Sequence, residues 1–252
     1  MLESLVALLC SENCRGCRRP VPSRSHTLTI CENCWRELSA DEPAYEWVPL
    51  DDSRAFPLAS GIAYDGLAKK LLYHLKYDND RLIARDLSQP LCRAFEQLGG
   101  DIADSPCLIV PVPLHWRRRY RRRFNQAELL AQEMLRRLER GGGRLRSPGL
   151  RPPRLVPGLL KRSRATSAHH LLSKEERRLN MDAAFSVESI AKALRPGETL
   201  ADCTIVIVDD IYTSGATMSE AARALIAAGA RRVAGLSVAR AVLRCEPVND
   251  RY

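Results

Sequence analysis

Residues 205–220 read IVIVDDIYTSGATMSE. Ile205, Val206, Ile207 and Val208 are an unbroken branched apolar run without polar alternation, the pattern of a strand covered on both faces of a parallel sheet. Helical spacing follows: Met218, Ala221, Ala222, Leu225 and Ile226 recur at three- and four-residue steps, and Gly229 supplies a stop. Between strand and helix stand Thr213, Ser214, Gly215, Ala216 and Thr217. Free backbone N–H groups, short hydroxyls and the positive end of a helix dipole converge there, and an anionic oxygen cluster fits them.

Asp209 and Asp210 close the strand at its carboxyl end, where open α/β sheets place ligands. Acceptor-only carboxylates beside a phosphate cradle require a ligand that also brings hydroxyl donors or a divalent cation, and a ribose phosphate with magnesium brings both. An ordinary capped strand-to-helix turn uses similar residue types. The stretch resembles the phosphoribosyl pyrophosphate (PRPP) signature of type I phosphoribosyltransferases. That resemblance implies that Asp209 and Asp210 hold the ribose hydroxyls and that Thr213, Ser214, Gly215, Ala216 and Thr217 wrap the 5-phosphate. Tyr212 departs from the pattern, which is usually aliphatic there.

Outward from this stretch, 252 residues suffice for one α/β domain and a small appendage. Hydrophobic content of 45% with 27% charged residues indicates a globular chain. A net charge of +9 favours anionic partners without choosing among nucleotides, nucleic acid or a membrane surface. Met1–Cys10 is too short for a spanning helix and lacks a basic leader, so a cytoplasmic protein without membrane insertion is expected. Nine cysteines then point to metal binding or buried thiols rather than disulfides.

Cys14-Arg-Gly-Cys17 and Cys31-Glu-Asn-Cys34 form two knuckles separated by thirteen residues. Each pair brings two thiolates to one tetrahedral ion, which predicts a four-sulfur structural zinc site in a module too small to fold alone. Cys10 reads as a buried thiol and His26 as a loop residue. The expected organisation is a zinc module at 1–45, a linker at 46–58, an α/β domain at 59–245 and a tail at 246–252.

Within that domain, Ser60–Tyr64 reads as a strand, and Asp65 opens a helix with Leu67, Leu71, Leu72 and Leu75 on one face and Lys76 at its end, within reach of a bound phosphate. A second amphipathic helix spans 82–98. Cys107–Val112 reads as a buried strand that Pro111 and Pro113 stop sharply. Arg117, Arg118, Arg119, Arg121, Arg122 and Arg123 place six guanidiniums in seven positions, flanked by Trp116, Tyr120 and Phe124. This run suits a pyrophosphate, a nucleic-acid backbone or bases stacked on the rings, with a solvated basic loop as the alternative. Asn125 caps the next helix. Residues 141–158 read as a flexible surface connection, and 160–180, with Arg162, as a mobile lid or a charged helix-loop. Short strands are expected at 184–187 and 232–239.

Taken together, the chain resembles the competence protein F (ComF) family. The match rests on the knuckles, Tyr64-Asp65-Gly66, Leu75-Lys76-Tyr77, Val110-Pro111-Val112-Pro113-Leu114, Phe124-Asn125-Gln126-Ala127, Arg162–Thr166, Glu176–Asn180 and the 205–220 signature. The resemblance implies a type I phosphoribosyltransferase-like parallel sheet flanked by helices, with PRPP and magnesium held by Asp209, Asp210, Thr213, Ser214, Gly215, Ala216, Thr217, Val112, Pro113, Lys76 and Arg162. It also implies a link to natural competence, with single-stranded DNA and a competence helicase as partners. Arg123 stands where relatives often carry glycine, and His169 where glutamine is usual. Phosphoribosyl transfer to an unidentified acceptor and non-catalytic binding of a ribose phosphate or single-stranded DNA both fit this sequence.

Overall fold

The computed structural model describes residues 13–21, 29–102, 105–114, 124–141, 152–162 and 184–241. In chain order its elements are α1 (Glu32–Ala40), β1 (Ala44–Pro49), β2 (Ala55–Ala63), α2 (Gly66–Tyr77), α3 (Ile83–Gln97), β3 (Cys107–Pro111), α4 (Gln126–Gly141), β4 (Arg154–Leu155), β5 (Leu160–Arg162), β6 (Phe185–Val187), β7 (Thr204–Tyr212), α5 (Ala216–Ala227) and β8 (Arg232–Arg240). Six strands form a sheet in the order β1-β2-β8-β7-β3-β4, parallel except for the β1–β2 hairpin. Strands β5 and β6 pair separately and antiparallel.

The 205–208 run explains why the sheet is covered twice. Val206 and Val208 enter a core built with Leu71, Leu75, Leu87, Phe95 and Leu130 of α2, α3 and α4. Ile205 and Ile207 enter a second core with Met218, Ala222 and Leu225 of α5, and with Leu160 and Phe185 of the β5–β6 hairpin. Neighbouring residues of a strand point to opposite faces, so only an unbroken apolar run serves both.

Several expectations are sharpened or corrected. The 82–98 pattern forms α3, and the strand expected at Ser60–Tyr64 is the end of the longer β2, which stops at Ala63. Residues 46–58, expected as a linker, instead form most of β1 and the start of β2. Pro49 ends β1, and Pro57 lies one residue before the first β2–β8 pair, Leu58 with Gly235, so neither proline removes a donor from that parallel ladder. Within 141–158, Arg154–Leu155 adds an edge strand to β3. Of the stretch expected as lid or charged helix-loop, Leu160–Arg162 is β5, and the rest lies outside the described residues. Asp65 precedes α2, but its side chain makes no capping bond.

The cysteine module shares the main core. Cys14, Ile30, Cys31, Cys34 and Leu38 are buried with Leu67, Leu71 and Leu91. Thr29 donates both its N–H (2.9 Å) and its hydroxyl (2.6 Å) to Oδ2 of Asp86, which is only 1% exposed. Arg93 of α3 donates to the carbonyls of Leu38, Ser39 and Asp41, closing the carboxyl end of α1, whose last turn has no basic residue. Among the described residues no helix is long and apolar enough to cross a membrane.

Candidate ribose-phosphate site and cysteine centre

Strands β3 and β7 are parallel neighbours, yet β3 continues through α4 towards β4 while β7 continues through α5 to β8 on the other side. Their carboxyl ends are therefore the point where the chain's progress across the sheet reverses, the position where open parallel sheets receive ligands. Val112 lies on one side, its N–H bonded to the Val208 carbonyl at 2.8 Å, and Asp209 follows on the other. Asn125 fixes that lip: its Nδ2 donates to the Val112 carbonyl (3.0 Å), while its Oδ1 accepts the Ala127 N–H (3.1 Å) as the expected cap of α4.

The two aspartates are held differently. Lys76 Nζ lies 2.8 Å from Asp210 Oδ1, with side chains 16% and 13% exposed. The lysine expected to reach a phosphate thus meets a carboxylate in this state. Asp209 Oδ1 accepts the Asp210 N–H at 2.8 Å. Burial, followed by the neighbouring Asp210 charge, pushes the Asp209 carboxyl up to about 7, against the opposing pull of the Asp210 N–H, Lys76 and Arg162. Arg162 reaches this neighbourhood from β5, its guanidinium 5.4 Å from the centre of the Phe185 ring across the hairpin.

Beyond the aspartates the bend is open. Thr213, Ser214 and Ala216 are exposed and Thr217 is half-buried. The Ser219 N–H bonds the Gly215 carbonyl at 2.8 Å, so the N–H groups of Ala216, Thr217 and Met218 stand ahead of the first helical acceptor. Gly215 has φ +78°, and a Cβ there would stand 2.8 Å from the Tyr212 hydroxyl. Tyr212 is the buried floor of the bend, which accounts for an aromatic residue where the resembled signature is aliphatic.

A groove of 720 Å³ bounded by Leu194, Arg195, Glu198 and Gly229 lies at the opposite end of the strands. There Glu198 is already engaged by Arg154 at 2.6 Å and by the Arg195 N–H at 2.9 Å. Gln126, given no role of its own in the sequence although it belongs to the Phe124–Ala127 stretch, is fully buried with neither amide atom paired. Sequence reasoning passed over Arg15 and Asp80, joined at 2.7 Å. The arginine run 117–123, Cys10, His26 and His169 lie outside the described residues; Phe124, just after the run, sits 5.0 Å from the Arg81 guanidinium.

The second centre is the cysteine cluster. The sulfurs of Cys14, Cys17, Cys31 and Cys34 all lie within 4.8 Å of one another, with Cys17 and Cys31 at 3.5 Å. Tetrahedral zinc with bonds of about 2.3 Å requires sulfurs roughly 3.8 Å apart, so the set fits such an ion. Burial raises the Cys14 thiol, but N–H groups of Cys17, Cys31 and Gly16 outweigh it and bring it down to about 7. The Cys31 N–H is 3.2 Å from that sulfur. Burial and the adjacent thiols push Cys34 upwards, the environment a cation would relieve. Gly16 admits no side chain: a Cβ would meet Leu67 at 2.5 Å and the Cys34 sulfur at 2.8 Å. The other described cysteines, Cys92, Cys107 and Cys203, are buried thiols.

A family profile described as "Phosphoribosyl transferase domain" matches residues 128–246, which contain the Asp-Asp turn. Competence protein F of Haemophilus influenzae is 27% identical over 239 residues, 90% of this chain and 90% of that protein. DNA utilization protein YhgH of Salmonella typhimurium is 31% identical over 229 residues, covering 87% and 86%. Competence protein ComFC of Bacillus subtilis is 25% identical over 218 residues, covering 86% and 72%.

Proposed function

The chain belongs to the family of competence protein F and DNA utilization protein YhgH, and from that premise we propose that it binds PRPP with magnesium at the turn after β7. In this reading it passes the phosphoribosyl group to an acceptor met while incoming single-stranded DNA is handled in the cytoplasm, beside a helicase of the uptake system. The observation that carries the reading is the half-buried Asp209 carboxyl, held above the usual carboxylate range at the end of β7 beside an open run of hydroxyls and unpaired N–H groups.

Asp209 and Asp210 accept hydrogen bonds from the ribose hydroxyls. The Thr213, Ser214 and Thr217 hydroxyls and the first N–H groups of α5 hold the 5-phosphate. Val112 and Pro113 line the opposite lip, and Lys76 and Arg162 face the departing pyrophosphate. Two carboxylates without a third protein ligand suit magnesium, which keeps several waters and takes further oxygens from a diphosphate. When bound, that ion neutralises the diphosphate charge. The acceptor nucleophile forms its bond to ribose C1 as the C1–O bond to pyrophosphate breaks, and the bonding pair leaves with the pyrophosphate. Positioning and fixed positive charge supply the rate, so no nucleophilic side chain is needed. The arginine run 117–123 is the segment we assign to the DNA backbone.

Calorimetric titration with PRPP and magnesium tests the reading, followed by pyrophosphate detection across a panel of bases. The expected result is saturable binding that Asp209→Ala weakens by at least about tenfold, the scale of losing charged hydrogen bonds. Unchanged binding in that variant removes the ribose assignment. Binding without pyrophosphate release from any base moves the protein to a non-catalytic ribose-phosphate adaptor.

A further inference from the structure

Lys76 is the last basic residue of α2, and its ammonium lies on Asp210. What holds that turn of helix in place is therefore part of the site. The α2 carboxyl end closes through two backbone bonds to one carbonyl: Asp78 N–H to His74 O at 3.1 Å and Asp80 N–H to the same oxygen at 3.4 Å. Asn79 between them adopts φ +57°, the left-handed turn that ends helices. The Asp80 side chain, 15% exposed, accepts from Arg15 Nε at 2.7 Å. Arg15 stands between Cys14 and Cys17, and its own N–H is fixed on the Thr29 carbonyl at 2.9 Å.

A continuous path thus runs from the first cysteine knuckle through Arg15, Asp80 and the His74 carbonyl to Lys76 and Asp210. We propose that Arg15 is a positioning residue: by holding Asp80 it closes the last turn of α2 and sets the Lys76 ammonium on the Asp209–Asp210 pair. The cysteine module then serves the ribose-phosphate site as a brace. This rests on the reading of Asp209–Thr217 as that site, and the path makes the coupling specific. The other anchors of the module, Thr29 on Asp86 and Arg93 on the α1 carbonyls, bear on α3 and not on the end of α2.

The test uses the full, metal-loaded chain, with Lys76 followed through its side-chain ammonium resonance and Asp78 and Asp80 through amide hydrogen exchange. Arg15→Leu and, from the other side of the pair, Asp80→Asn should speed exchange of those two amides by roughly tenfold. Both should release the protected Lys76 ammonium signal, and Arg15→Lys should restore much of it. Cobalt substituted into the cysteine cluster should keep its thiolate absorption in all three variants. Arg93→Met, which loosens the module at the α1–α3 contact without touching Arg15 or Asp80, is the control and should leave Lys76 unmoved.

Affinity for ribose 5-phosphate with magnesium should fall about fivefold in Arg15→Leu, with no further loss when Lys76→Leu is added. An unchanged Lys76 signal in Arg15→Leu and Asp80→Asn overturns the positioning role, as does an equal response to Arg93→Met. If the natural chain binds no ribose 5-phosphate while the Lys76 response appears, the ligand reading fails and the brace stands.

Discussion

Asp209 is where the chemistry of the site meets the stability of the fold. Its carboxyl is pushed up to about 7 by burial and by Asp210, against an ordinary value of 3.8. A raised folded value means that the native state holds the proton more tightly than the unfolded chain. The resulting stabilisation is complete below the ordinary value and is lost as pH rises through about 7. Ligand hydroxyls and cations favour the carboxylate, so binding should release a proton near neutrality. Affinity for PRPP with magnesium should climb between pH 6 and 8, with a slope of log affinity approaching about one below the titration and flattening above it. Calorimetry in buffers of different ionisation enthalpy measures the released proton. Asp209→Asn should abolish the slope and leave the ligand-free protein about 1 kcal/mol more stable at pH 8. A pH-independent affinity in the natural chain would show that Asp209 is already charged before the ligand arrives.

At the scale of elements, the turn from β7 to α5 depends on Gly215 twice over, through its φ of +78° and through the Tyr212 hydroxyl, 2.8 Å from where a Cβ would stand. Gly215→Ala should cost about 2–3 kcal/mol, combining a left-handed alanine with a displaced ring. Adding Tyr212→Phe should recover the hydroxyl's share of the steric cost, leaving the closer ring carbon at 3.1 Å and the conformational part, and a urea double-mutant cycle separates them. Additive losses would mean that the ring does not support the bend. Legibility followed the same division between local and distant contacts. The 205–220 stretch was readable because its strand, acids, turn and helix are contiguous and each has a local pattern, and the knuckles were readable because their spacing is itself the geometry. The β1 strand was missed because its alternating half-buried pattern lies among prolines that read as breakers. The Lys76–Asp210 pair joins residues 134 apart and the Arg15–Asp80 pair residues 65 apart, with no periodicity to announce either. Lys76 was expected to reach a bound phosphate, and nothing local in the sequence signalled the Asp210 carboxylate that it meets.

For the molecule as a whole, the shared core decides how the protein comes apart. Cys14, Cys31 and Cys34 are buried with leucines of α2 and α3, so removing a bound ion from the cysteine cluster should weaken one cooperative unit and not melt a detached appendage. Differential scanning calorimetry after chelation should show a single transition lowered by roughly 10 °C. A separate low-temperature transition with the main one unmoved would mean that the module unfolds on its own. The order of the sheet has a consequence during synthesis. Strand β8 follows every other strand of the sheet in sequence yet lies between β2 and β7. On the ribosome, the halves it joins emerge with exposed edges and wait for a keystone delivered last, so a chain interrupted before residue 232 leaves two unjoined ribbons open to mispairing.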